Sequence, residues 1–194
     1  MVELKGKTEE PSLPVNAQLE QYGLKRQELI REISQGALED QDGQDAAKIY
    51  KKMELPADEI QRRVARQYAD RHKILFPVEN GPLAENECTV SVVQRIGFEP
   101  VDYCLGIVLE DHRGVAFGAH ILADDPQDMI QSEKEAQDYL EQQRKLFDID
   151  PEKITFVSSK LGVTKQHRDI MSTFEAAYPR AKISTKVSPT LEIE

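Results

Sequence analysis

Tyr103-Cys104-Leu105-Gly106-Ile107-Val108-Leu109-Glu110 and Val115-Ala116-Phe117-Gly118-Ala119-His120-Ile121-Leu122, joined by Asp111-His112-Arg113-Gly114, form the stretch that decides the fold. Two apolar runs on either side of a short polar segment ending in glycine read as a β-hairpin. Residues of equal parity share one face of a strand, so the turn length decides which side chains meet. With a three-residue loop, His112-Arg113-Gly114, Gly114 takes the left-handed position and Asp111 pairs with Val115. Gly106 then faces His120, and Cys104 lies diagonally from His120 on the same face, about 7–8 Å away. With a four-residue loop, Leu105 faces His120 and Cys104 points away. Gly114 favours the first register.

Working outward, the downstream sequence alternates helical and strand periodicities. A polar helix is expected over 126–147, a strand over 154–158, a helix over 165–178 and a last strand region over 181–193. Upstream, Thr89-Val90-Ser91-Val92-Val93 is β-branched and reads as a strand. Before the Asn80-Gly81-Pro82 turn the texture is helical, with helices expected over 17–36, 44–53 and 56–72, a break from Gly36 to Gly43, and a brief apolar run, 74–78, that ends the helical half. The expected class is α+β: a mostly antiparallel sheet with packed helices, preceded by a helical N-terminal region. The organisation reads as a disordered lead-in over 1–16, a helical region over 17–79 and an α+β domain over 80–194.

Composition narrows the function. The chain has 194 residues, 39% hydrophobic and 31% charged, with a formal charge of −10. That charge opposes nucleic acid or an anionic membrane as the main partner. No apolar run approaches the roughly 20 residues of a membrane span. The first ten residues have no apolar leader core, so the expected location is the cytoplasm of the producing cell, or export without a signal peptide. Two cysteines are too few for a disulfide framework, and free thiols are expected for Cys88 and Cys104. The four histidines fall outside zinc-site spacings, so neither a metal nor a cofactor is expected.

Cys104 and His120 are the one pair of nucleophile and base that local structure brings together. An imidazole activates a thiol and later protonates a leaving amine. Gly106 and Gly118 leave space beside the pair for a substrate backbone, and Tyr103, next to the cysteine, joins them as a substrate-binding residue. Each residue has a plainer reading as well: a strand cysteine as a small apolar filler, and a strand histidine as a hydrogen-bonded core group. His72, His112 and His167 read as surface groups, Asp124, Asp125 and Asp128 as caps of the following helix, and Ser158-Ser159-Lys160 as a strand-to-loop cap.

The block Cys104-Leu105-Gly106-Ile107-Val108-Leu109-Glu110-Asp111 followed by Gly114-Val115-Ala116-Phe117-Gly118-Ala119-His120-Ile121-Leu122 resembles the bacterial chemoreceptor glutamine deamidases of the CheD family. Through them it is similar to glutamine deamidase toxins such as the cytotoxic necrotizing factors. The resemblance covers roughly 88–194 and departs from the family where Val101-Asp102-Tyr103 precedes the cysteine and Phe98 stands in place of an assisting threonine. It implies a cysteine-dependent protein glutamine deamidase, with Cys104 as nucleophile and His120 as base. Thr89 or Ser91 would then be the assisting hydroxyl, and Asp102 the group that orients the histidine. The partner implied is a protein with a reactive glutamine, and a helical extension suits a bacterial effector. Other readings are a transglutaminase, a non-enzymatic interaction protein, or a papain-like cysteine hydrolase. The sixteen-residue separation of the pair counts against the last.

Overall fold

The computed structural model describes residues 14–79, 82–91, 96–99, 104–122, 132–158 and 163–187. Three helices come first: α1 (Val15–Glu39), α2 (Gln41–Lys52) and α3 (Ala57–Arg71). Then follow β1 (Phe76–Pro77), β2 (Glu87–Ser91), β3 (Cys104–Glu110), β4 (Ala116–Leu122), α4 (Ser132–Leu146), β5 (Lys153–Ser158), α5 (Lys165–Ala177) and β6 (Lys182–Val187). Four of the helix starts have a local cause. Pro14 and Pro56 stand at the N-cap positions of α1 and α3, where a missing N–H costs nothing. Asp40 caps α2 by accepting from the Gly43 N–H, and Thr164 caps α5 by accepting from the His167 N–H.

The α+β class holds, with six strands in the order β1-β2-β4-β3-β5-β6. The sheet is mixed rather than mostly antiparallel. Its three inner pairings are antiparallel, whereas β1 runs parallel to β2 and β6 parallel to β5. The physical reason at the far edge is α5: a helix between two strands returns the chain to the same end of the sheet, and a parallel strand follows. At the near edge, the apolar run 74–78, expected to close the helical part, instead supplies β1.

Alternation divides the sheet into two faces. Leu105, Ile107 and Leu109 of β3, Phe117, Ala119 and Ile121 of β4, Cys88 and Val90 of β2, and Ile154 and Phe156 of β5 are all buried in one apolar cluster. Ala136, Tyr139 and Leu140 of α4 and Ile170 and Phe174 of α5 cover them. Removing a large apolar side chain from water stabilises the fold by about 1.5–3 kcal/mol each, so this face holds the sheet. The other face carries Glu87 and Thr89, Cys104, Gly106 and Val108, and Gly118 and His120.

The N-terminal helices are joined to the sheet rather than set apart from it. Tyr22 of α1 belongs to the main cluster, with Val15, Leu19 and Leu29 packed against it. A second cluster joins Ile33 of α1, Ala65 and Ala69 of α3, and Phe76 of β1. Helix α1 also begins earlier and ends later than expected, taking in 15 and 16 from the stretch read as a disordered lead-in. Residues 1–13 lie outside the described ones. Gly36 and Gly43, read as helix breaks, are close-packing positions. A Cβ on Gly36 would stand 2.8 Å from the Tyr68 ring, and one on Gly43 only 1.9 Å from the Ala37 carbonyl oxygen. Among the described residues, no helix is long and apolar enough to cross a membrane.

Candidate active site

The hairpin register comes first, because the site depends on it. The Asp111 N–H donates to the Val115 carbonyl at 3.0 Å, and Gly114 has φ +76°, so the loop is the three-residue one. The Asp111 carboxylate reinforces it by accepting from the backbone N–H groups of Arg113 and Val115. Gly106 is consequently opposite His120 and Cys104 opposite Leu122. Cys104 and His120 are diagonal neighbours on one face, the arrangement Gly114 favours. Cys88 points to the opposite, core-facing side, and both cysteines are free thiols.

His120 is fully buried, and a backbone carbonyl fixes its orientation. Its Nδ1 lies 2.8 Å from the Leu83 oxygen. A carbonyl only accepts, so Nδ1 carries the hydrogen and the neutral ring presents its lone pair at Nε2. Among the described residues, that Nε2 has no hydrogen-bond partner. Burial pushes the His120 pKa below the usual imidazole value, outweighing the Leu83 bond and the nearby Glu85, Glu99 and Glu87, which push it up. A neutral ring with its lone pair at Nε2 is the form a general base requires.

Cys104 is 1% exposed, and its Sγ donates to Glu85 Oε1 at 3.4 Å. Thiol and imidazole therefore share a face without being hydrogen-bonded to each other in this conformation. Glu85 and the Leu83 carbonyl are the two groups that sequence reading missed. Both belong to 83–87, a polar stretch with no periodicity that contacts the pair only through the pairing of β2 with β4. The Asn86 N–H donates to the His120 carbonyl at 2.7 Å, and Glu87 is opposite His120. Helix α3 secures this stretch: Arg66 Nη1 lies 2.6 Å from Glu87 Oε1, and Asn86 Nδ2 lies 3.4 Å from Asp70 Oδ1.

Three sequence expectations need correction. Thr89 does not reach Cys104. It is opposite Gly118, four positions along β4 from Leu122, and its hydroxyl donates to the Glu79 carbonyl at 3.2 Å. Gly106 and Gly118 do not open space for a substrate backbone, because side chains already fill both positions. A Cβ on Gly106 would lie 3.0 Å from the Phe98 ring, and one on Gly118 would lie 2.6 Å from Ile96 Cγ2. The Phe98 ring also meets the His120 ring edge to face, with centroids 5.7 Å apart. His167, expected at the surface, is buried and completes the cap of α5, its Nδ1 accepting from the Thr164 N–H. His72 and His112 are exposed as expected. Tyr103, Asp102, Ser159, Lys160, Asp124, Asp125 and Asp128 lie outside the described residues.

No protein-family model matches the chain, and neither a curated protein nor a solved structure was found to be similar to it. The likeness to glutamine deamidases rests on the hairpin residues themselves.

The buried imidazole has a consequence for stability. His120 binds a proton less readily when folded than when unfolded. Its contribution is therefore complete above the unfolded pKa of about 6.5, and is lost as pH falls from there toward the lower folded value. Asp70, whose pKa burial raises, runs the other way. Comparing the protein with His120→Gln cancels that term. Urea midpoints measured between pH 7 and pH 5 should fall more steeply with acid in the wild-type protein than in His120→Gln.

Proposed function

We propose that this protein is a cysteine-dependent protein glutamine deamidase, converting a glutamine side chain of a target protein to glutamate. The observation that carries this reading is the placement of Cys104 and His120 on one sheet face, with the His120 Nε2 lone pair unpartnered. In this reaction the Cys104 sulfur leaves Glu85 for the His120 Nε2, which takes the thiol proton. The sulfur then bonds to the side-chain amide carbon, and the C–N bond breaks as the imidazolium returns the proton to the leaving ammonia. Water, deprotonated by His120, attacks the thioester. Glutamate is released and the thiol restored, with no net oxidation and no cofactor. In this scheme the Leu83 carbonyl holds the ring in the productive tautomer, as a carboxylate does in other nucleophile–histidine pairs.

The reading extends to the setting. A deamidase joined to a helical region suits an effector delivered into another cell, with α1 to α3 bracing the site through Arg66. The test is peptide-resolved mass spectrometry of cells producing the protein or its Cys104→Ala variant. Glutamines converted to glutamate only with the intact thiol identify the activity, and equal conversion by the variant excludes it.

One observation favours a second reading, a non-enzymatic interaction protein. Ile49 of helix α2 and Met53 at its C-cap are exposed, at 58% and 60%. On that reading α2 is a docking surface, and Cys104→Ala leaves partner binding unchanged.

A further inference from the structure

The face that holds Cys104 and His120 is covered, among the described residues, by 96–99. Residues 96–99 cross it with alternate side chains directed at the sheet. Ile96 fills the position above Gly118, and Phe98 fills the position above Gly106, the residue opposite His120. Gly97 and Glu99, between and beyond them, are exposed. Any side chain at 106 or 118 would collide with this packing, so the two glycines are sockets matched to two particular side chains.

The backbone attachment converges on one residue. The Leu83 N–H donates to the Gly97 carbonyl at 2.9 Å, and the Glu99 N–H donates to the Leu83 carbonyl at 2.9 Å. That same carbonyl oxygen takes the His120 Nδ1–H at 2.8 Å. The stopper and the orientation of the base thus share a single acceptor. Ile96 and Phe98 are only half-buried, so each holds the segment with less than the full burial free energy of a core side chain. Among the described residues, two such side chains and two backbone bonds hold 96–99, fewer attachments than hold the sheet beneath it, and fewer attachments lower the cost of local opening.

We propose that residues 96–99 are an autoinhibitory stopper, and that docking of the target protein draws Phe98 off Gly106 and admits the glutamine side chain in its place. The inference rests on Cys104 and His120 being the reactive pair. A glutamine side chain is smaller than the phenyl ring it replaces, so the socket accommodates it without movement of β3 or β4. Closure keeps the thiol from reacting with other amides and small electrophiles while no target is bound.

The chain carries its own control for the test. Cys104 lies on the covered face and Cys88 on the core face; neither is in a disulfide and both are buried. Alkylation with iodoacetamide, read peptide by peptide, separates local opening, which labels Cys104 alone, from unfolding, which labels both. The native protein should alkylate at Cys104 about a hundredfold more slowly than the urea-unfolded chain. Phe98→Ala should raise the Cys104 rate about tenfold or more with Cys88 still protected. Ile96→Ala gives the same reading by vacating the other socket. The proposal is overturned if native Cys104 alkylates as fast as in the unfolded chain. It is equally overturned if neither variant accelerates Cys104, or if both expose Cys88 to the same extent, since 96–99 would then belong to the global core. Alkylation needs no catalysis, so a stopper can be demonstrated even if glutamine conversion is never observed, and the converse also holds.

Discussion

Alanine in place of Cys104 should reduce glutamine conversion by at least about a thousandfold while leaving the fold intact, because in the proposed reaction the thioester forms on its sulfur. The structure makes this substitution a clean one. Cys104 contributes one buried sulfur at the start of β3, its backbone remains paired opposite Leu122, and a small side chain is retained. The stability loss should stay near 1 kcal/mol, the scale of removing a methyl-sized group from a core. Thermal unfolding and the denaturant midpoint are the controls. A variant that keeps its midpoint and loses conversion has lost a nucleophile. A variant that keeps both shows that Cys104 is only a filler.

Phe117→Ala should have the largest effect on stability, about 3–5 kcal/mol, read as a lower urea midpoint. Phe117 is 1% exposed near the start of β4, directly opposite Leu109 on β3 and Val90 on β2. It lies under the helical layer that seals the core face. Both cross-strand partners are themselves held by their strands, so the site cannot collapse to refill the cavity. Because β4 also carries His120, the variant should lose its protection of Cys104 and Cys88 together, the pattern of global opening. That distinguishes it from Phe98→Ala, which acts on one face only.

Local features of the chain were legible to the extent that their signals were local. The hairpin was readable because Gly114 fixes its loop and parity then fixes both faces. Helix α5 and strand β5 were readable from periodicity within a few residues. The parallel edges were harder to read, since β1 is two residues long and its pairing is a long-range choice. Glycine was the most misleading residue. At 36 and 43 it suggests interruption, and at 106 and 118 it suggests open space, yet all four mark places where another part of the chain comes close. A sequence reports that a side chain is missing, but not what occupies the volume left behind. Within the site, Cys104 and His120 were found because a hairpin links them. Glu85 and the Leu83 carbonyl were missed because only the pairing of β2 with β4 brings them there.

The central claim is that Cys104 and His120 act as one reactive pair. Its most direct test is a short glutamine-containing peptide whose reactive side-chain amide is replaced by a chloroketone, with the adduct located by mass spectrometry. A single adduct is expected, on Cys104 and not Cys88, faster in Phe98→Ala and slowed about a hundredfold by His120→Gln in that same background. An adduct that forms equally well without the imidazole, or none at Cys104 even with Phe98 removed, would contradict it.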